Sequence, residues 1–253
     1  MPHPRSPRFF SAQPLPAPSV DAIDFYLSEE IARHLQVLRI DAGDEVTLFD
    51  GTGGEWNAVT LNIDKRRAQV RLLAFDGVER ESPLTITLVQ ALVTSDKMDF
   101  IVQKAVELGV NAIQPITSER ATLKLTGERA QKRIMHWQGV AQAASEQCGR
   151  NRIPMVADIV SFEAWIGKPA DGLRLVLHPQ GQSSLVGTVN ATTPVSIMIG
   201  PEGGFSDREI ALTAQHGIKA VGMGPRVLRS ETAGLAALAA LNAVYGDFQN
   251  DWR

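Results

Sequence analysis

Two short loops carry the residue types that could do chemistry. The first is Gly200-Pro-Glu-Gly-Gly204, followed by Phe205; the second is Gly224-Pro-Arg-Val-Leu-Arg-Ser-Glu-Thr232. A dinucleotide fingerprint needs Gly-x-Gly-x-x-Gly, with an acidic residue about 20 positions on at the end of the next strand. Here the glycines fall at 200, 203 and 204, and the next apolar run ends in Met223-Gly224. A P-loop needs Gly-Lys-Ser/Thr, and neither loop has that lysine. Glu202 puts a negative charge there instead, which repels a polyphosphate and suits hydroxyls or a cation. The pair of loops therefore points to a nucleoside-like ligand without phosphates. Taken alone, Gly-Pro-Glu-Gly-Gly is equally a tight turn; the second loop favours a ligand site.

The elements around the loops follow from local pattern. Val195–Ile199 is an apolar run of strand length. Ser206-Asp-Arg-Glu209 is a Ser-x-x-Glu capping box that opens a helix, with Ile210, Ala211 and Ala214 as its apolar face and Gly217 at its end. Ala220–Met223 is a second strand, and the loop after it feeds an alanine-rich helix over Glu231–Tyr245. Two strand-loop-helix units side by side put both loops at the carboxyl edge of one sheet, where open α/β sheets bind ligands. Leu173–Leu177 supplies a third strand, followed by His178, which reads as a loop histidine rather than a base.

Composition bounds the rest. The 253 residues are 44% hydrophobic and 21% charged with a net charge of −3, ordinary for a globular protein and without a global nucleic-acid signal. Locally, Glu119 to Arg152 holds seven Lys/Arg against three Glu, a segment that fits phosphates or a solvated helix face. The single Cys148 excludes an internal disulfide and offers no metal-ligand spacing. No run approaches the 18 or so apolar residues of a membrane span, and MPHPRSPRFF at the N-terminus has no signal-peptide core. A cytoplasmic protein without metal or membrane partner is the expectation.

Residues 1–78 read as a small β domain. Arg8-Phe-Phe10 opens it, His34-Leu-Gln-Val-Leu-Arg39 is a short helix following Ser28-Glu-Glu-Ile, and Glu45–Phe49, Glu55–Ile63 and Ala68–Phe75 alternate as strands around Asp-Gly and Gly-Gly turns. So many short strands suggest a barrel. Polar Asp76–Pro83 marks the boundary, and residues 79–253 form the second domain. There Thr85–Val93 is a strand, Ser95 or Asp96 caps a helix ending at Gly109, Ala112–Thr117 is a strand, and Arg129–Gln147 is a longer helix. About five parallel strands with helices on both faces follow. The last helix, apolar nearly all round, belongs in the core or at a subunit interface.

Beyond these patterns, the chain resembles the SPOUT superfamily of S-adenosyl-L-methionine-dependent methyltransferases, within it the RsmE family, which methylates uracil N3 in 16S rRNA. The likeness rests on Arg8-Phe-Phe10, His34-Leu-x-Val-Leu-Arg39, Asp50-Gly51 with Glu55, Gln103-Lys-Ala-Val-Glu-Leu-Gly-Val110, Ser118-Glu-Arg120 and Ala143-Ala-Ser-Glu-Gln147 with Arg150 and Pro154. It ends in Ile199-Gly-Pro-Glu-Gly-Gly204 and Gly224-Pro-Arg-Val-Leu-Arg-Ser-Glu-Thr-Ala233, which together are the most specific. Met223 stands where the family usually has leucine, and His136 where arginine is common.

The resemblance implies a PUA-like β-barrel for RNA, a C-terminal α/β domain with a parallel sheet and a trefoil knot, and a homodimer built on the knot helices. It implies that Leu177, Gly200, Pro201, Glu202, Gly203, Gly204, Met223, Gly224, Leu228, Ser230 and Ala233 hold the cofactor. By the same reasoning Arg229 stabilises the uracil oxygens, Glu231 orients or accepts the proton, and Arg8, Arg39, Arg120, Arg150 and Arg152 contact 16S rRNA or the small ribosomal subunit. Rival expectations are another SPOUT RNA methyltransferase, acting on a tRNA base or a ribose 2'-hydroxyl, and a non-catalytic RNA-binding assembly protein. A nicotinamide oxidoreductase is disfavoured by the broken fingerprint.

Overall fold

A computed structural model of the chain describes residues 6–19 and 21–249. The start of the N-terminal segment, Met1 to Arg5, on which the absence of a signal peptide was read, lies outside them. The chain divides into two compact units. One comprises the chain up to Glu81 together with Ser145–Ile153, the other Ser82–Ala144 and the chain from Pro154 onward.

The first unit contains β1 (Arg8–Phe10), β2 (Ile23–Leu27), α1 (Glu29–Val37), β3 (Glu45–Phe49), β4 (Glu55–Ile63) and β5 (Ala68–Asp76). Ser28 starts α1 by accepting the Ile31 N–H, and Glu29 and Glu30 complement the helix dipole in the first turn. The strands pair in the order β1-β3-β4-β5-β2, antiparallel except for β1 with β3. Alternation buries Trp56 and Ala58 of β4 and Ala68, Val70 and Leu72 of β5. These form one core with Phe9, Val46, Leu48 and with Ile31, Ala32 and Leu35 of α1. The expected barrel is an open path of hydrogen bonds, because among the described residues its end strands β1 and β2 do not pair. Alternation and turn signals specify hairpins; they say nothing about whether the end strands meet.

The second unit runs β6 (Ile86–Ala91), α2 (Ser95–Glu107), β7 (Ala112–Thr117), α3 (Gly127–Cys148, whose last residues from Ser145 count with the first unit), β8 (Met155–Val156), β9 (Val160–Ser161) and α4 (Phe162–Ile166). It continues β10 (Leu173–Leu177), β11 (Ser183–Ser184), α5 (Leu185–Thr188), β12 (Val195–Ile199), α6 (Asp207–Gln215), β13 (Lys219–Gly222) and α7 (Ser230–Tyr245). The sheet is parallel throughout, in the order β11-β13-β10-β12-β6-β7-β8, with β9 also on β7. Its long strands are the five read from the sequence. The two-residue strands β8, β9 and β11 are too short to leave a pattern.

Helices cover both faces, and β6 shows how. Val89 and Ala91 join Phe162, Trp165 and Ile166 of α4 in one apolar cluster. One residue back, Leu88 reaches the other face, where a Cβ added at Gly234 of α7 would meet it at 3.0 Å. Gln90 lies on that face too, donating to Ser230. Period-two alternation inside a fully buried strand thus sorts one apolar run between two helix layers.

Some local expectations need correction. Thr94, not Ser95 or Asp96, is the N-cap of α2, and it makes no side-chain capping bond to the helix. The Ser95 hydroxyl instead accepts from Arg133 of α3. On α6 the capping box forms in full, but Ala211 and Ala214 face solvent while Glu209 and Thr213 are buried. Glu209 can be buried because its carboxylate accepts the Ser206 N–H at 2.8 Å and the Glu119 N–H at 3.0 Å. Helix α7 buries a stripe, Ser230, Ala233, Gly234, Ala237, Leu238, Leu241 and Asn242, rather than its whole circumference.

Candidate functional site

The carboxyl ends of β10, β12 and β13 open into one cavity of about 280 Å³. That lies just below the ~300–1,000 Å³ typical of small-molecule sites. The loop after β10 contributes Leu177, His178 and Pro179; the loop after β12 contributes Gly200, Pro201, Glu202 and Gly204. Met223, Gly224, Arg226, Val227, Leu228 and Arg229 come from the loop after β13, and Ser230, Glu231 and Ala233 from the first turn of α7. Gly204 and Gly224 have φ of 67° and 87°, backbone that an L side chain rarely adopts, so glycine is what lets both loops turn at the cavity.

Of the residues expected at a cofactor, Gly203 alone does not line the cavity. A Cβ there would point outward and touch Arg120 at 3.4 Å. Arg120 in turn donates to the carbonyls of Gly203 and Phe205 at 3.1 and 3.3 Å, so it braces the loop from behind. Ser230 braces it from within. Its hydroxyl donates to the Gly200 carbonyl at 2.6 Å and accepts from Gln90 at 3.0 Å, joining the loop, α7 and β6.

Arg229 is the N-cap residue of α7, where its carbonyl accepts the Thr232 and Ala233 N–H groups. Its side chain is exposed at the cavity and makes no hydrogen bond or ion pair among the described residues. Glu231 sits two positions further on, in the first turn, and its buried Oε2 lacks a hydrogen-bond partner. The closest cation to that oxygen is Lys97 at 3.6 Å.

Sequence reasoning missed Lys97. It lies in the first turn of α2, and its ammonium also binds Glu202 Oε1 at 3.2 Å. The bond to Glu202 is the main reason its ammonium is held above the usual lysine range, against partial desolvation. Burial pushes the Glu202 carboxyl up, but its own backbone N–H, Lys97 and the Thr94 N–H outweigh this, and the group sits below its usual range. The one available signal was position: α2 follows β6, so its first turn starts at the same carboxyl edge. The cavity therefore does contain a lysine, yet one whose charge two carboxylates already meet. A polyphosphate remains disfavoured.

The five arginines expected at RNA divide sharply. Arg8 is buried, ion-paired with Glu55, bonded to Asn151 Oδ1 at 2.6 Å and stacked on Phe49. Arg150 is buried against Glu81. Both are corrected from RNA contacts to internal struts of the first unit, since a guanidinium enclosed by protein cannot reach a phosphate. Arg152 pairs with Glu79 but stays 53% exposed. Arg39 is exposed just past the end of α1, with φ of 57°. Among the described residues no group of His, Cys, Asp or Glu could hold a metal, and no helix is long and apolar enough to cross a membrane.

The cavity fits a nucleoside-bearing cofactor: glycine-formed walls, an orphaned buried carboxylate oxygen, and an exposed arginine at the edge. Comparisons with known proteins agree. Residues 80–242 match the family described as an RNA methyltransferase domain, and residues 27–73 an RNA methyltransferase PUA domain. A ribosomal RNA small subunit methyltransferase E of Bacillus subtilis is 31% identical over 224 residues, covering 85% of this chain and 87% of that one. A protein of the same name from Synechocystis is 34% identical, over 83% of this chain and 69% of its own. The crystal structure of a ribosomal RNA small subunit methyltransferase E from Neisseria gonorrhoeae bound to S-adenosyl methionine superposes with a TM-score of 0.88 at 40% identity, covering 96% of this chain and 100% of that one. With two glycine loops framing one cavity and relatives matched along most of their length, the chain belongs to the ribosomal RNA small subunit methyltransferase E family.

Proposed function

We propose that this protein uses S-adenosyl-L-methionine to methylate N3 of a uridine in the 16S rRNA of the small ribosomal subunit. The observation that carries the reading is the single cavity lined by both glycine loops and by Arg229 and Glu231. The cofactor would rest against Leu177, Gly200, Pro201, Glu202, Gly204, Met223, Gly224, Leu228, Ser230 and Ala233. It supplies a methyl already activated on sulfur, so the protein needs neither a metal nor a covalent nucleophile. What remains is to align the uracil, take the N3 proton and hold the negative charge. The unpaired guanidinium of Arg229 suits the charge that spreads onto the uracil oxygens. The Oε2 of Glu231 makes no hydrogen bond and faces the Lys97 ammonium at 3.6 Å, which leaves it an acceptor suited to orienting the base or receiving its proton.

Several wider features belong to the same reading. Residues 1–78 act as a PUA-like RNA-binding domain and 79–253 as the SPOUT domain, whose chain passes through a trefoil knot near the two loops. Arg39, Arg120 and Arg152 remain candidates for RNA contact. The outer face of α7 presents Ala236, Ala239, Ala240 and Ala243, small residues that let a second backbone approach. A homodimer there would bury at least about 1,000 Å². Its setting is the cytoplasm, where the small subunit is made.

Mass spectrometry of nucleosides tests this directly. Small-subunit rRNA treated with protein and S-adenosyl-L-methionine should yield N3-methyluridine. A methylated ribose, or methylation confined to tRNA, would replace the proposal with one of its rivals.

A further inference from the structure

Three charged groups from three elements meet on one wall of the cavity. Lys97 comes from α2, Glu202 from the loop after β12 and Glu231 from the first turn of α7. The ammonium is 3.2 Å from Glu202 Oε1 and 3.6 Å from Glu231 Oε2. Two carboxylates only one ammonium apart repel each other, and the cation between them relieves that repulsion. We infer that Lys97 is a positioning residue for methyl transfer, whose ammonium bridges Glu202 and Glu231 and fixes their places on the cavity wall.

The surroundings favour this role over others open to a lysine. As a base it would need a neutral amine, but its neighbours favour the charged form. As an anion hook it would need a free charge, and both adjacent carboxylates already engage it. The remaining charged or titratable groups facing the pair are Arg226 and Arg229 on the second loop, His178 after β10, and Asp96 beside Lys97 on α2. Neither arginine forms an ion pair with Glu202 or Glu231 among the described residues, and Asp96 is held by the Thr94 side chain and the Lys97 N–H. Lys97 thus stands as the direct partner of both carboxylates. Because Glu231 lies at the start of α7 and Glu202 within the glycine loop, the same ammonium also sets the spacing of two cavity walls.

The inference rests on the proposed cofactor reading, and the test separates the two. The carboxyl carbons of Glu202 and Glu231 are titrated by ¹³C NMR in cofactor-free wild type, K97M and K97R, with K97Q as a second truncation should K97M fail to fold. S-adenosyl-L-methionine affinity is measured calorimetrically across the same pH range. In K97M one carboxyl should titrate about 1 pH unit or more above its wild-type position. Cofactor affinity should then fall at a correspondingly higher pH, and K97R should restore both. Carboxyls that titrate as in wild type in both truncations, or a K97R that restores neither property, would overturn the role of Lys97. A wild type that binds no S-adenosyl-L-methionine would overturn the cofactor reading, and the NMR titration would still decide whether Lys97 holds the carboxylates.

Discussion

Arginines in the two units meet opposite circumstances. In the first, Arg8 and Arg150 are buried and each faces a carboxylate. In the second, Arg226 and Arg229 stand exposed at a cavity with no ion-pair partner among the described residues. All four occur in motif-like stretches, so residue type and motif cannot tell them apart. The carboxylates do: Glu55 and Glu81 consume the charge of the first pair, while the acids near the second pair are engaged by Lys97. A buried ion pair locks a scaffold, and an unpaired cation at a cavity is left to meet a ligand.

That contrast breaks most visibly at Glu55. Its side chain is 9% exposed and receives both Arg8 and Arg80. E55Q leaves two guanidiniums without their carboxylate, and should cost about 3–5 kcal/mol in chemical denaturation of the protein. Burial pushes the Glu55 carboxyl up, but Arg80 and Arg8 outweigh it and hold the group below its usual 4.5. A carboxyl depressed in the folded state stabilises fully above the unfolded value and loses that contribution as pH falls through the folded one. Wild type should therefore weaken below about pH 4.5, in a limb that E55Q lacks. An E55Q protein of wild-type stability would mean that these arginines are not held as described.

A smaller loss is expected inside the second unit. S230A removes the hydroxyl between Gln90 and the Gly200 carbonyl, and should cost about 1–3 kcal/mol in thermal unfolding by leaving buried polar groups unpaired. Cofactor affinity should drop with it, because the glycine loop loses its inner brace. Unchanged affinity would show that the loop is held without this brace.

The smallest effect sharpens the comparison at the surface. R39A should shift stability by no more than about 0.5 kcal/mol. If Arg39 meets a phosphate, the slope of log affinity for RNA against log salt should become shallower by about 0.7. R8A should instead act through stability, as E55Q does. A salt slope unchanged in R39A would remove Arg39 from the RNA surface.

Much of this was legible along the chain. Ser206 announced α6 by its capping chemistry, and apolar runs announced the strands of four or more residues in the second unit, whereas α1 begins at Glu29, ahead of the expected His34. Glycines and missing fingerprints placed the cavity loops. What escaped was long-range pairing: Lys97 is 105 residues from Glu202 and carries no local signal of the bond. The Arg8–Glu55 and Arg150–Glu81 pairs were hidden in the same way. Burial on α6 was misread because alanines on its outer face looked like core, while a capping carboxylate occupied the inner one.

The most direct test is single-turnover methyl transfer to small-subunit rRNA by R229A, with cofactor affinity and thermal stability measured on the same preparation. Removing a donor aimed at developing charge typically lowers turnover about 10²–10³-fold. R229A should show that loss with affinity and stability close to wild type, because its side chain makes no hydrogen bond or ion pair among the described residues. Normal turnover in R229A would contradict a catalytic role for the unpaired arginine at the cavity.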